Sequence, residues 1–151
     1  MKPIIYSLFF ALTLFVTAQN SSDKALIEET LNNYIDGFYK GDSLKLKAAL
    51  KPRLYKFGYW KNKNTNAYEY SSQMTFDEAM AYANRVLKNN NQKGDEIIRK
   101  VEVLDSGNHI AAGKITAWWG IDFVLLSKED GKWMIEQVIW EGPLEKSHVD
   151  K

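Results

Sequence analysis

Two polar side chains occur in stretches of the sequence that are otherwise apolar, where a buried hydroxyl or carboxylate could do chemistry. Tyr34 lies in the apolar stripe of a predicted helix, and Asp122 stands between Ile121 and the apolar run 123–126. Burying a carboxylate is costly unless it has a hydrogen-bond partner, so we expect Asp122 to face a pocket and to pair with Tyr34. Two alternatives stay open. Tyr34 is a core tyrosine with a local partner, or Asp122 is tied to backbone amides or lies on the open face of a sheet.

Most tryptophans lie in the second half of the chain, where they could line a pocket for a planar ligand; the alternative is packing in the core or at a dimer interface. Trp118 and Trp119 are adjacent, so on a strand their side chains would face opposite sides. Trp133 and Ile135 share a face and are predicted to belong to the core. The ligand-binding residues that we predict are Tyr34, Asp122, Phe38, Tyr55, Trp118 and Trp140.

The residue types that other common chemistries need are scarce. The chain has no cysteine, and its two histidines, His109 and His148, do not have a metal-binding spacing. The segment 113–116 lacks the first glycine of a phosphate-binding loop, and no Gly-x-Ser-x-Gly sequence occurs. We therefore predict no metal, no cofactor and no hydrolase activity, and we assign no catalytic residue.

A helix predicted in the first part of the chain would position Tyr34. Apolar residues recur three and four positions apart over 24–40, and Gly41 ends this helix. A second short helix is predicted up to Leu50. Thr75 and Glu78 have the spacing of a capping box at the start of a third helix. The predicted buried side of that helix comprises Phe76, Met80, Ala83 and Leu87.

Strand patterns predict the sheet that would hold Asp122. The aromatic-rich segment 54–60 and the segment 67–70 resemble the two strands of a hairpin. The later predicted strands are 96–105, 109–119, 121–127 and 132–140. Helices followed by a run of strands with short connections indicate an α+β fold with a mostly antiparallel sheet.

The N-terminus has the pattern of a secretory signal. Lys2 precedes an apolar segment, 4–16, and the small residues Val16 and Ala18 suit a cleavage site. A membrane span needs about 20 apolar residues, and this segment is shorter. We predict a signal peptide at 1–18, one domain at 22–142 and a polar tail at 143–151. The protein would be exported to the periplasm or the medium without a lipid anchor, since it has no cysteine.

The balance of charges argues against nucleic acid as a partner. Without residues 1–18 the chain has 19 basic and 19 acidic residues, whereas binding to phosphates needs a basic surface. One basic run is predicted to be a solvated helix face with its exit loop, and it comprises Lys45, Lys47, Lys51, Arg53 and Lys56.

Three segments together resemble the NTF2-like family: 34–42, 121–126 and 130–135, which read YIDGFYKGD, IDFVLL and DGKWMI. The most similar branch is the one described as "putative lumazine-binding", alongside SnoaL-like proteins and ketosteroid isomerase. The resemblance covers residues 24–141. It implies a cone, in which a strongly curved sheet wraps around the N-terminal helices and leaves an apolar pocket at its open end.

The resemblance to ketosteroid isomerase implies specific chemical roles for two residues. It implies that Tyr34 and a protonated Asp122 donate hydrogen bonds to an enolate oxygen, and that a general-base aspartate lies near Gly58. No aspartate or glutamate occurs in 43–67, so the expected base is missing. Glu136 and Glu141 on the last strand are the alternative sources.

These observations leave three functions open. The leading one is a non-enzymatic domain that binds a small apolar or aromatic ligand or serves as an accessory protein. The second is an enzyme of the isomerase or dehydratase type that uses Tyr34 and Asp122. The third is a structural interaction domain with a filled cone. We expect no nucleic-acid partner, no stable membrane anchor and a homodimer formed through the sheet face.

Overall fold

The computed structural model describes the backbone of residues 3–149 and the side chains of residues 22–149. The predicted signal peptide, 1–18, lies outside the described side chains. The elements are α1 (Pro3–Lys40), α2 (Ser43–Ala49), β1 (Leu50–Lys61), β2 (Tyr68–Met74), α3 (Phe76–Lys88), β3 (Arg99–Ser106), β4 (Ile110–Ala117), β5 (Gly120–Glu129), β6 (Lys132–Gly142) and α4 (Lys146–Val149). Within the described part of the chain, no helix is both long and apolar enough to cross a membrane.

The six strands form one curved, open sheet in the order β2-β1-β6-β5-β4-β3. Every neighbouring pair is antiparallel except β1 and β6, which are parallel. Helices packed on one such sheet confirm the predicted α+β class and the mostly antiparallel pairing.

The first helix packs on the last strand. Tyr34 and Ile35 of α1 are fully buried, and so is Ile135 of β6. The Thr30 hydroxyl donates to the backbone oxygen of Trp133 at 3.0 Å in this buried contact. The contact fixes α1 against the sheet, and with it the depth at which Tyr34 lies.

The third helix starts with the predicted capping box between Thr75 and Glu78. Ala83 is buried as predicted, and Phe76 and Met80 pack partly buried against the core. Leu87, which the sequence assigned to the core, is 55% exposed. Ala79 and Val86, which the prediction left out, are buried instead.

The basic run is not a helix face with an exit loop. Lys45 and Lys47 lie on α2, whereas Lys51, Arg53 and Lys56 lie on β1. The strand begins directly after α2, and Pro52 falls where the pairing of β1 with β6 is irregular, a position at which a strand tolerates proline. As a result Lys51 and Lys56 are both buried.

Candidate functional site

A cavity of about 430 Å³ opens between the helices and the sheet. Its volume falls in the usual range for a small-molecule site, roughly 300–1,000 Å³. The walls come from α1, α3, β1, β2, β6 and the turn between β4 and β5. The lining residues at the inner end and along the aromatic walls are Tyr34, Phe38, Lys56, Trp118, Trp119 and Trp140.

A chain of hydrogen bonds joins three buried polar side chains at the inner end. Lys56 Nζ donates to the Tyr34 hydroxyl at 2.7 Å, and this hydroxyl donates to Asp122 Oδ2 at 2.6 Å. Lys56 Nζ also lies 3.4 Å from the same oxygen. Trp119 Nε1 donates to the other carboxylate oxygen, Oδ1, at 2.7 Å. The predicted pairing of Tyr34 with Asp122 therefore exists, and Asp122 accepts hydrogen bonds within it.

Asp122 lies behind the cavity rather than on its surface. Its side chain has no exposed area, and both of its oxygens face donors from the protein. Lys56 and Tyr34 separate it from the cavity. The arrangement thus differs from the one implied by ketosteroid isomerase, because the group next to a ligand is Lys56 and not the aspartate.

Strand alternation decides which side chains of β1 reach the cavity. Leu54 and Lys56 are buried on the inner face, whereas Tyr55 lies on the outer face and is exposed. Tyr55 packs there against Phe57, with ring centroids 5.2 Å apart. The structure therefore corrects the expectation that Tyr55 lines the pocket.

Gly58 on the same strand leaves room for the Trp140 side chain, which forms one wall of the cavity. A Cβ at this position would lie 2.2 Å from the Trp140 backbone oxygen and 2.4 Å from its ring. Trp140 pairs with Gly58 and also with Asp122 across the sheet. The missing side chain of Gly58 lets the Trp140 indole cover the inner end.

Trp118 and Trp119 both line the cavity, contrary to the expectation that they face opposite sides of a strand. They form the turn between β4 and β5, where strand alternation does not apply. Their rings are edge-to-face, 5.9 Å apart. The Trp118 backbone N–H donates to the Tyr39 hydroxyl at 2.9 Å, which holds the turn against α1.

Burial is the largest influence on the pKa values of Tyr34 and Lys56, the two polar groups at the inner end of the cavity. The pKa of Tyr34 is well above its usual value because of burial, with smaller contributions from the charge of Asp122 and the hydrogen bond to it. Burial lowers the pKa of Lys56, while the charge and hydrogen bond of Asp122 act in the opposite direction. Tyr34 consequently keeps its proton over the neutral range, and the Lys56 amine becomes easier to deprotonate.

Aromatic rings surround the Lys56 ammonium group. Nζ lies 5.5, 5.8 and 5.6 Å from the ring centroids of Tyr34, Phe38 and Trp140, respectively. A cation within about 6 Å of an aromatic face is attracted by the ring quadrupole. The rings stabilise the charge of Lys56 and, together with Trp119, surround the polar groups of Lys56 and Tyr34 with apolar surface.

The outer end of the cavity is polar. Ser71, Ser72 and Gln73 of β2 line one side of it, and Glu78 and Arg85 of α3 line the other. Glu78 is held by the backbone N–H and the hydroxyl of Thr75. A ligand would pass this rim before its body reached the tryptophans.

Four of the six residues predicted to bind a ligand line the cavity, and the sequence prediction did not include Lys56. Phe38, Trp118 and Trp140 line the cavity as expected, and Tyr34 does so too. The alternative bases do not: Glu136 binds Arg53 and Ser127, and Glu141 lies 3.5 Å from His148. The signal that could have found Lys56 is the alternation of side chains along a strand. Lys56 is two residues from Leu54, so both side chains lie on the same face of β1.

Comparison with known proteins agrees with this architecture. The family described as "Putative lumazine-binding" matches residues 22–141. No curated protein matches the sequence.

Several solved structures are similar. An NTF2-like protein of unknown function from Shewanella baltica has 21% identity and a TM-score of 0.57, with 80% of this chain and 93% of that chain covered. An NTF2-like protein of unknown function from Methylobacillus flagellatus has 22% identity and a TM-score of 0.57, covering 80% and 91%. Hexachlorocyclohexane dehydrochlorinase (LinA) type 2 has 12% identity and a TM-score of 0.51, covering 82% and 87%. At these identities the likeness shows the fold alone.

Proposed function

This chain belongs to the family described as "Putative lumazine-binding" and has the NTF2-like fold, and on that premise we propose that its cavity binds a small planar ligand. The ligand has an apolar, aromatic body and one anionic or strongly polarised oxygen. Its body lies among the tryptophans, and its oxygen contacts Lys56. The protein acts as a binding or accessory domain rather than as an enzyme.

One observation carries this proposal: the Lys56 ammonium group has one more N–H bond than it has acceptors among the described residues. An ammonium group has three N–H bonds, and among the described residues Lys56 donates only to Tyr34 and Asp122. The group lines the cavity although its side chain is only 8% exposed. A third acceptor can reach it only from the cavity, and an oxygen on a ligand provides one.

The surrounding walls specify the rest of the ligand. Phe38 and Trp140 lie around the ammonium group, and together with Trp119 they offer flat apolar surfaces to the cavity. Aromatic pairs favour stacked or edge-to-face contacts, which a planar ring system can make. An open cavity also speaks against a cone filled by side chains, and so supports ligand binding over a purely structural role.

A titration with two matched ligands tests the proposal. We expect 2-naphthoate to bind about tenfold to a hundredfold more tightly than 2-methylnaphthalene, because a hydrogen bond to a charged group contributes about 1.5–3 kcal/mol. Quenching of tryptophan fluorescence measures both affinities. Equal affinities, or no quenching by either compound, would contradict the proposal. Lumazine is planar and has carbonyl oxygens, so it belongs in the same titration as a third ligand.

An enzyme of the isomerase or dehydratase type is the second candidate, and Lys56 is the observation that favours it. The aspartate base expected near Gly58 is missing. The buried amine of Lys56, whose pKa is lowered by burial, is able to accept a proton in its place. A protein of similar fold is named a dehydrochlorinase. Turnover of a ketosteroid or a chlorinated substrate that is lost in Lys56→Met would support this candidate over simple binding.

We further propose that the protein is exported and that its signal peptide is cleaved after Ala18. The support is the order of a basic residue, an apolar segment and small residues in 1–18. N-terminal sequencing of protein from the periplasm or medium should then begin at or near Gln19. Recovery of the protein only in the cell membrane with Met1 intact would overturn the prediction.

The homodimer through the sheet face also stays a prediction. What supports it is a row of exposed apolar side chains on the outer face of β5 and β6, formed by Phe123, Leu125 and Ile139. Exposed apolar surface of this kind often marks an interface. A dimer of this type would leave the cavity open, since these side chains lie on the opposite face of the sheet.

A further inference from the structure

We propose that Lys56 is a nucleophile that forms an imine with aromatic aldehydes or ketones bound in the cavity. The inference rests on the proposed binding function, because the carbonyl group must first be held at the inner end. It goes beyond that function in assigning a covalent reaction to the site.

The geometry supplies what imine formation requires. The Lys56 amine lines an apolar cavity large enough for a bicyclic ligand. The Tyr34 hydroxyl lies 2.7 Å from the amine nitrogen and is therefore close enough to relay a proton. Asp122 lies 3.4 Å from the same nitrogen and would stabilise the positive charge of a protonated imine.

The protonation state of the amine favours the reaction as well. Only the neutral amine has a lone pair for attack, and a lysine in a desolvated site is activated in this way. Burial is the largest influence on Lys56, and it lowers the pKa of the amine. Lys51 of the same strand is a natural comparison: it is also buried, but its ammonium group binds Glu129 at 2.6 Å and does not line the cavity.

The reaction is a condensation that releases water. The nitrogen lone pair forms a bond to the carbonyl carbon, and the electrons of the C=O double bond move to oxygen. The oxygen receives the two protons that the neutral amine gives up, with Tyr34 as the relay, and leaves as water. A C=N bond remains, so neither an oxidant nor a reductant is needed.

Reductive trapping tests the proposal. The purified protein is incubated with 2-naphthaldehyde and sodium cyanoborohydride, which reduces a protonated imine to a stable amine, and the modified lysine is found by peptide mass spectrometry. We expect modification at Lys56 at least about tenfold faster than at Lys51 or any surface lysine, because only Lys56 combines a desolvated amine with a bound carbonyl. Tyr34→Phe should slow trapping at Lys56 by a larger factor than it weakens the binding of 2-naphthaldehyde.

Binding is measured separately, by fluorescence quenching with 2-naphthaldehyde without the reductant. Quenching together with selective modification of Lys56 supports the inference. If quenching occurs but modification is absent or spread evenly over the lysines, imine formation is wrong and the binding function stands. Absence of quenching by both 2-naphthaldehyde and 2-naphthoate would overturn the binding function and this inference together.

Discussion

Replacing Asp122 by alanine should lower the free energy of unfolding by about 3–5 kcal/mol, the usual cost of removing one partner from a buried ion pair. The carboxylate accepts hydrogen bonds from Tyr34, Lys56 and Trp119, and its side chain has no exposed area. Without it, the Lys56 ammonium group stays buried without its counter-ion, and the Tyr34 O–H and Trp119 N–H lose their acceptor. Urea denaturation followed by tryptophan fluorescence measures the loss.

Two control variants separate this effect from simple loss of volume or charge. Asp122→Asn keeps the shape and one acceptor oxygen, so it should lose less stability than Asp122→Ala. Asp95→Ala removes an ion pair that is shorter, 2.7 Å to Lys40 against 3.4 Å between Lys56 and Asp122, but the Asp95 side chain is 87% exposed. It should change stability little, because exposed ion pairs contribute little. If Asp122→Ala were as stable as Asp95→Ala, the buried network would not hold the fold together.

Replacing Lys56 by methionine should weaken the binding of 2-naphthoate by about tenfold to a hundredfold at pH 7. Methionine fills nearly the same space but has no donor for the ligand oxygen. The fold should survive, since Asp122 keeps its hydrogen bonds from Tyr34 and Trp119. Lys51→Met is the matched control, because it removes a buried lysine from the same strand outside the cavity.

The pH dependence of this binding distinguishes a charge effect from a packing effect. Burial lowers the pKa of Lys56, so the ammonium form is lost at a pH below the ordinary lysine value of about 10.4. A carboxylate ligand stays ionised throughout, and the raised pKa of Tyr34, caused mainly by burial, keeps its hydroxyl neutral. Glu78 at the rim also stays ionised, because the hydrogen bonds from the Thr75 backbone and hydroxyl lower its pKa.

Affinity of the parent protein should therefore fall by about tenfold per pH unit once the pH exceeds the pKa of Lys56. The affinity of Lys56→Met should be independent of pH over the same range. Isothermal titration calorimetry from pH 7 to about 10.5, just above the ordinary lysine value, measures both. A Lys56→Met variant that binds as tightly as the parent, or that shows the same decline, would remove Lys56 from the site.

The sequence by itself determined the fold class, the main elements and many of the residues that line the cavity. The apolar stripe of α1 carries its own period, so Tyr34, Ile35 and Phe38 could be assigned to one buried face. Helices followed by strands with short connections indicated an α+β fold. The cost of burying a lone carboxylate, together with the resemblance to ketosteroid isomerase, led to the pairing of Asp122 with Tyr34, which the structure contains at 2.6 Å.

Only the tertiary structure decided which face of β1 is the inner one. Alternation puts Tyr55 and Phe57 on one face and Leu54 and Lys56 on the other, and composition alone favours the aromatic face as the core. The sheet has the opposite arrangement, because Asp122 and Tyr34 supply the buried charge and hydroxyl that a buried lysine needs. Those partners lie 66 and 22 positions away in the sequence. Whether a lysine faces a solvent or a cavity thus depends on contacts that no local pattern contains.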